Sequence, residues 1–300
     1  MRLEKILVAV DLSESAWSAA MVATSLTVKL KAKLIVLHVD EIRSYGFLGS
    51  DALSEYMVKM ELARAKWMER LDAVLSELEV DYEILSASGV AHKEILRIAE
   101  ANDVDLVVCG RFGALGVRRF FIGSTSKRLV RKSAVPVLVV PHVEEQPMFE
   151  TPPPLRHLMA TSDFSEDSER GVRWAYQLSR ALECSLQLFH AADIPPAAIV
   201  PGEPPYWIPK IAIEELEQRS LVRLKEFVEA EKFDSVSYRC QASTVVAETI
   251  AEAAEAQNID ILVVPSHSRG VVEAFFVGST TLRVLRLSRV PLLVLPRTLA

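Results

Sequence analysis

One stretch of the chain joins a strand-like run to spaced glycines and a helix: Asp105-Leu-Val-Val-Cys109, Gly110-Arg-Phe-Gly113, nine residues, then Gly123-Ser-Thr125. Glycine lets the backbone turn where a Cβ would clash and lets amide N–H groups approach a ligand closely. Gly-Ser at the start of a predicted helix places N–H groups and the helix dipole where they attract an anion. The stretch therefore predicts a strand, a phosphate-binding loop and a helix.

Positive charge is concentrated around this loop, although the chain as a whole is acidic. From Gly110 to Lys132 the chain has seven Arg or Lys residues and no Asp or Glu, whereas its formal net charge is −6. An acidic chain is not expected to bind nucleic acid in general, so the basic residues point to one small anion. The alternative is a solvated face, as charge runs usually are. The residues in question are Arg111, Arg118, Arg119, Lys127 and Arg128, of which we expect one or two to reach phosphates.

The chain contains two copies of one pattern. Four segments recur in order, at offsets of 152 or 155 residues, which is strong evidence for a duplication. The first members are Val10-Asp11-Leu-Ser13, Leu34–Val39, Phe120–Thr125 and Val135–Pro141, and their partners begin near Ser162, Leu186, Phe275 and Val290. The predicted domains are residues 1–143 and 155–300, joined by a Pro-rich linker at 144–154.

Composition narrows the class of protein. Half of the 300 residues are hydrophobic and a quarter are charged, which is typical of globular domains. Three cysteines in apolar runs favour buried thiols over a disulfide framework. The N-terminus lacks the layout of a signal peptide, and no apolar run is long enough to span a membrane. We therefore expect a cytoplasmic protein without a membrane partner.

Short apolar runs alternate with helical patterns in each copy. The first copy predicts strands at about 4–10, 33–40, 81–86, 105–109 and 136–140, with helices at 15–30, 52–78, 91–101 and 124–132. Continuous apolar strands that alternate with helices favour a parallel, doubly wound α/β sheet. Ligands of such sheets bind beyond the carboxyl ends of the strands. Asp11 and Gly110 both lie at such ends and should line one crevice.

The chain resembles the universal stress protein family in its tandem form, over essentially its whole length. The resemblance rests on Val10-Asp11-Leu-Ser13, on Gly110-x2-Gly113-x9-Gly123-Ser124 and on Val135-Pro136-Val-Leu-Val-Val140. It implies two flavodoxin-like domains of the adenine nucleotide alpha hydrolase-like type, each with a five-stranded parallel sheet. It also implies that the domains pack as an internal pseudo-dimer through Pro136–Val140 and Pro291–Leu295. Homo-oligomers and protein partners stay open.

The resemblance also implies a ligand and its contacts. Nucleotide-binding members of the family take ATP, and Mg²⁺ is the metal to expect if the phosphates carry one. By that resemblance Ala9, Val10 and Asp11 hold the nucleoside end, and the backbone of Val39 meets the adenine. The remaining implied contacts surround the ribose and phosphates: Gly110, Phe112, Gly113, Gly123, Ser124 and Thr125, with Ser126 nearby.

Simpler roles exist for the same residues. Asp11 could only cap the helix that follows it, and Gly123 and Ser124 could only form a turn and a cap. The spaced pair Gly110 and Gly113 is what favours phosphate binding over these alternatives.

The second copy departs from the pattern. The equivalents of Gly110 and Gly113 are Pro265 and Ser268, and proline offers no N–H. Asp163, Gly278 and Ser279 persist, so a pocket could remain without the phosphate loop. We therefore predict that the first domain binds nucleotide and that the second is degenerate or takes another ligand. Its Pro-rich segment 193–209 fits a lid, a docking surface or a packed loop.

Catalytic signatures are missing from the sequence. It has no Gly-x-Ser-x-Gly elbow, no Walker loop and no paired metal-binding spacing, so we assign no catalytic residue and no metal ligand. His38, His157, His190 and His267 are better explained as structural than as a zinc cluster. The leading hypothesis is an ATP-binding regulator of a stress response. The alternatives are a slow Mg²⁺-dependent enzyme that hydrolyses or transfers from ATP, and a nucleotide-free scaffold with another ligand in its second domain.

Overall fold

The computed structural model describes residues 3–41, 50–112, 122–141, 149, 151–194, 210–266, 277–297 and 299. Contacts between backbone positions divide the chain into two compact units, residues 2–154 and 155–300. The division falls at the end of the predicted linker, most of which (residues 144–148 and 150) lies outside the described residues. The predicted packing of the two domains on each other stays a prediction.

The first domain alternates strands and helices. Its strands are β1 (Lys5–Val10), β2 (Lys33–Asp40), β3 (Tyr82–Ser88), β4 (Leu106–Gly110) and β5 (Val137–Val140). Its helices are α1 (Glu14–Leu30), α2 (Ser50–Glu77), α3 (Ala91–Ala101) and α4 (Ser124–Lys132). Every predicted element is confirmed, with its ends within two residues of the predicted positions.

The second domain repeats this order. Its strands are β6 (His157–Thr161), β7 (Ser185–Asp193), β8 (Val236–Ser243), β9 (Ile261–Pro265) and β10 (Leu292–Leu295). Its helices are α5 (Glu166–Ala181), α6 (Lys210–Ala230), α7 (Val246–Ala256) and α8 (Ser279–Leu287). The duplication seen in the sequence is therefore a duplication of structure. In the part of the chain that the structure describes, no helix has both the length and the apolar character to cross a bilayer.

Each domain has its own five-stranded parallel sheet. The strand order is β3-β2-β1-β4-β5 in the first domain and β8-β7-β6-β9-β10 in the second. All pairs within a domain are parallel, and in the first domain Val10 lies opposite His38 while Ala9 lies opposite Cys109. The predicted doubly wound α/β fold is confirmed. The order reverses between β1 and β4, and again between β6 and β9.

The central strands are buried because helices cover both faces of the sheet. All four residues of β5 are buried, as are the first four residues of β4, which explains their continuous apolar sequence. On α1, Trp17 is fully buried, meets the Trp67 ring edge-on at 5.4 Å and donates its Nε1–H to the Phe149 carbonyl at 2.8 Å. The described end of the linker therefore lies along α1.

An aspartate fixes the start of the central strand in each domain. Asp105 Oδ2 accepts hydrogen bonds from the backbone N–H groups of Glu4 and Lys5, at 2.7 and 2.9 Å. Asp260 Oδ2 does the same for Arg156 and His157, at 2.7 and 2.8 Å. In each domain one carboxylate thus accepts from two N–H groups at the start of the strand. Asp105 and Asp260 are therefore equivalent structural residues of the repeat.

Replacing either aspartate by alanine should loosen only its own domain. Asp105→Ala and Asp260→Ala each leave two N–H groups without their charged acceptor, which should lower the free energy of unfolding by about 1.5–3 kcal/mol. Hydrogen exchange measured by mass spectrometry should speed up in residues 5–40 for the first variant and in 157–193 for the second. Glu61→Ala on the exposed face of α2 is the control. Equal acceleration of both domains by one variant would contradict this assignment.

Candidate functional site

The reversal of strand order places a crevice at the carboxyl ends of β1 and β4. The chain leaves β1 through Asp11 toward α1, and leaves β4 through Arg111 toward α4. Because the connections diverge to opposite faces of the sheet, they open a gap between them, where ligands of doubly wound sheets bind. The structure therefore brings Asp11 and Gly110 to the same edge of the sheet, as predicted, while residues 113–121 of the loop lie outside the described residues.

Asp11 organises the turn into α1 without being its N-cap. Its Oδ1 accepts hydrogen bonds from the N–H and the hydroxyl of Ser13, and Ser13 Oγ accepts from the Ala16 N–H at 3.1 Å. The N-cap is Ser13, so the suggestion that Asp11 itself caps the helix is wrong. Leu12 between them has φ = 66°, an uncommon conformation for a branched side chain. The exposed Asp11 carboxylate is thus held at the rim of the crevice.

Gly110 is required by packing against α1. A Cβ at this position would overlap Ser15 Oγ and lie 3.1 Å from the Ser15 carbonyl carbon. Ser15 is buried, and its hydroxyl has no hydrogen-bond partner among the described residues. The glycine lets α1 approach the end of β4, a reason that the sequence pattern alone did not reveal.

The start of α4 is fastened to the end of β4 by one carbonyl. The Arg111 carbonyl accepts from the Gly123 N–H at 2.8 Å and from Ser126 Oγ at 2.9 Å. A Cβ on Gly123 would lie 3.0 Å from that same carbonyl oxygen, so only glycine fits without a shift. Ser126 is buried, and its hydroxyl proton serves this contact. The carbonyl places the N-terminus of α4 beside the crevice.

The N-terminus of α4 favours a negative charge. Its N-cap, Gly123, makes no side-chain cap hydrogen bond, and the first turn carries no acidic residue. The first N–H groups of a helix have no intrahelical acceptor and carry the positive end of the dipole. Ser124 is exposed and Thr125 is half-buried, at this end of the helix.

The basic residues of the loop and helix divide into two kinds. Arg111 is only 5% exposed, so its interpretation as part of a solvated face is wrong. Its guanidinium lies 5.0 Å from the centre of the Phe112 ring, and burial lowers its pKa to about 10. Lys127 and Arg128 are exposed, which is compatible with both a solvated face and a contact with phosphates. Gly113, Arg118 and Arg119 lie outside the described residues.

The positive charges of α4 affect the pKa of a histidine on the neighbouring helix α3. His92 on α3 is buried, and burial lowers its pKa, with further lowering by the positive charges of Arg128 and Lys132. A lowered histidine pKa means that the site resists a further positive charge. The positive charges of α4 therefore add to the effect of burial on His92.

The end of β2 closes the other side of the crevice. The His38 ring donates from Nδ1 to the Val10 carbonyl at 2.9 Å, and its Nε2 lies 3.1 Å from Asp40 Oδ1. Arg64 on α2 lies 3.6 Å from the same carboxylate. His38 therefore ties β2 to β1, while Val39 beside it is half-buried. Asp40 and Arg64 were not foreseen, because their sequence neighbourhood shows no motif.

The second domain has the same crevice built from different residues. Asp163 Oδ1 accepts from the Ser165 N–H at 3.0 Å, and the His190 ring donates from Nδ1 to the Ser162 carbonyl at 2.6 Å. Pro265 lies opposite Leu295, the last residue of β10, just as Gly110 lies opposite Val140, the last residue of β5. The equivalence of Pro265 and Gly110 is thus confirmed. Ser268, His267 and the segment 195–209 lie outside the described residues.

A pocket of about 410 Å³ lies at this second crevice. It is lined at the strand ends by Thr161, Ser162, Asp163, Phe164, His190, Ala191, Ala192, Asp193, Val264 and Pro265, and from the helices by Leu216, Ser220, Arg223, Val246, Ile250, Thr280, Thr281 and Val284. The pocket survives although the first glycine of the loop has become a proline. Among the described residues of either domain, no three His, Cys, Asp or Glu side chains are grouped as a metal site would require.

Comparisons with known proteins agree with this duplicated fold. A model of the universal stress protein family matches residues 2–141 and again 154–296. A universal stress protein of Methanocaldococcus jannaschii is 29% identical over 140 residues, covering 46% of this chain and 81% of that protein. A universal stress protein of Bacillus subtilis is 28% identical over 144 residues, covering 45% of this chain and 97% of that protein. The crystal structure of a universal stress protein from Archaeoglobus fulgidus covers 99% of this chain and 100% of its own, with a TM-score of 0.69 at 19% identity.

The contact between Gly110 and Ser15 can be tested by a pair of substitutions. Gly110→Ala should lower the free energy of unfolding by about 1–3 kcal/mol, as over-packing of a tight contact does. Ser15→Ala alone should be nearly neutral, because it removes a buried hydroxyl that makes no hydrogen bond with the described residues. In the Ser15→Ala background Gly110→Ala should cost clearly less, as measured by urea denaturation. An equal cost in both backgrounds would show that Ser15 is not the obstacle.

Proposed function

The chain belongs to the universal stress protein family, and from that premise we propose that its first domain binds ATP as the signal of a stress-response regulator. The observation that carries the proposal is the start of α4. The Arg111 carbonyl holds this helix end beside the switch in strand order, with no side-chain cap and no acidic residue in its first turn. Such a helix end suits a phosphate group.

The phosphates have donors on α4. Backbone N–H groups of Ser124 and Thr125 lie in the first turn, and Lys127 and Arg128 follow on an exposed face. The charges of Arg128 and Lys132 on α4 reach the neighbouring helix α3, where they add to the effect of burial in lowering the pKa of His92. Buried Ser126 acts differently in this proposal, because its hydroxyl positions the helix through the Arg111 carbonyl.

The nucleoside has acceptors at the strand ends. The Asp11 carboxylate is held at the rim by Ser13, and an ionised carboxylate has several lone pairs to accept from ribose hydroxyls. Half-buried Ala9 and Val39 offer backbone and apolar surface for the adenine. The proposal thus keeps Gly110, Phe112 and Gly123 as the frame of the site, with Gly113 beyond the described residues.

Binding is proposed in preference to catalysis. The carboxylates described at this edge are already engaged, Asp11 by Ser13 and Asp40 by His38 and Arg64. Hydrolysis needs a group positioned to activate an attacking water, and we assign that role to neither carboxylate. Mg²⁺ would enter with the phosphates and neutralise part of their charge, with water as most of its ligands.

Calorimetric titration of the full chain with Mg-ATP should show one site per chain. Asp11→Ala should weaken binding about tenfold or more, since a hydrogen bond to a charged group contributes about 1.5–3 kcal/mol. Asp163→Ala is the matched control, because Asp163 makes the same turn contacts in the second domain. It should leave the affinity within about twofold.

Three results would overturn the proposal. Two equivalent ATP sites per chain would contradict the asymmetry between the domains, and absence of binding at millimolar ATP would favour a nucleotide-free scaffold. A single-turnover assay with labelled ATP gives the third. Rapid product formation that Asp11→Ala abolishes would favour the enzyme.

A further inference from the structure

We infer that the N-terminal half of α2 is an interaction surface on which a second copy of this chain docks. The surface, the α2 patch, consists of Met57, Val58, Met60 and Leu62. Each of these large apolar side chains is between 42% and 60% exposed. The inference does not depend on ATP binding by the first domain.

Two polar contacts fix the direction of α2 on its domain. The Tyr82 hydroxyl, at the start of β3, donates to the Asp72 carboxylate in the C-terminal half of the helix. The Arg64 guanidinium lies 3.6 Å from the carboxylate of Asp40, the last residue of β2. The helix therefore runs antiparallel to the strands, and the residues before Arg64 extend beyond the carboxyl ends of β2 and β3.

The apolar stripe of α2 continues past the part that the domain covers. Leu71 and Leu75 are fully buried and attach the helix to its domain. Met60 precedes Leu71 by about three helical turns and Met57 precedes Leu75 by about five, so all four point from the same side of the helix. This side is exposed at Met57 and Met60 because the helix has there passed the strand ends.

A second exposed face makes the patch wider than one stripe. Val58 and Leu62 are one helical turn apart and lie on a different face from Met57 and Met60. A helical segment with apolar side chains on more than one face is typical of a buried helix. The N-terminal half of α2 therefore has the composition of an element that is covered by a partner.

The equivalent helix of the second domain has a surface suited to water. Among the described residues, the exposed large apolar side chains of α6 are Ile211 and Val222 alone. On α2 the described ion pairs between residues four apart are limited to Glu55–Lys59. On α6 there are three: Lys210–Glu214, Glu215–Arg219 and Lys225–Glu229. Since the two helices occupy the same place in the repeat, the apolar character of α2 is not a requirement of the fold.

The size of the patch suits pairing with an identical patch. Its four side chains expose on the order of 400 Å², which is large for the apolar surface of a monomer. This is about half of the roughly 800 Å² that each partner of a standard interface buries. Ala65 is also exposed and follows Val58 and Leu62 on their face, so its small side chain lets a second helix approach. A two-fold axis would place each patch against its own copy.

The charges around the patch also favour a second copy. Residues 54–66 contain two acidic and three basic side chains, namely Glu55, Glu61, Lys59, Arg64 and Lys66. Two copies of a segment so nearly balanced meet with little repulsion, although the whole chain is acidic. Binding to an anionic membrane or to nucleic acid would instead call for a clearly basic face.

Sedimentation velocity of the full chain tests the inference. Over about a hundredfold range of concentration, the chain should show a monomer–dimer equilibrium. Val58→Glu and Leu62→Glu should each weaken dimerisation at least about tenfold, because each would bury a carboxylate in the interface. Val222→Glu is the matched control, since Val222 is exposed to a similar extent on α6. It should leave the dissociation constant within about twofold.

The outcomes distinguish the α2 patch from other surfaces. Weaker dimerisation with both α2 variants, and unchanged dimerisation with Val222→Glu, supports the inference. A chain that stays monomeric at the highest concentration overturns it. A dimer that either α2 variant leaves unchanged also overturns it, as does equal weakening by Val222→Glu. All three positions are exposed, so circular dichroism should show the helix content of the unaltered chain.

Discussion

The carbonyl of Arg111 is the contact on which the first site depends. It closes a loop from the end of β4 to the start of α4 by accepting from the Gly123 N–H and the Ser126 hydroxyl. An unsatisfied buried carbonyl or N–H is costly, so this pairing fixes the helix end more firmly than any surface ion pair could. The position of the α4 N-terminus beside the end of β4 follows from that attachment.

The same attachment persists where the glycine loop does not. In the second domain the Ser266 carbonyl accepts from the Gly278 N–H at 2.8 Å, and Thr281 replaces Ser126 with a hydrogen bond to Pro265. The helix end is therefore retained while the residues that face the crevice have changed. The attachment persists because the carbonyl and N–H groups that form it remain when neighbouring side chains change.

The elements of the fold could be predicted because their signals are local. Continuous apolar runs in β4 and β5 and the helical pattern of α1 depend on near neighbours in the chain, and their positions were predicted within two residues. The burial of Arg111 and the role of Ser15 could not be predicted. Both depend on which helix lies against which strand end, and a charged residue in a basic run is normally expected on the surface.

The glycine signature therefore has two meanings that the sequence alone cannot separate. The sequence pattern suggests that Gly110 lets a ligand approach the backbone. In the structure, however, Ser15 occupies the space that a Cβ on Gly110 would need. The residue equivalent to Ser15 in the second domain is Asp167, whose carboxylate pairs with Arg170, and there β9 ends in Pro265. Loss of the glycine thus reflects a change in how helix and strand pack, in addition to the loss of an N–H. The second crevice stays open despite this change, since a pocket of about 410 Å³ lies there.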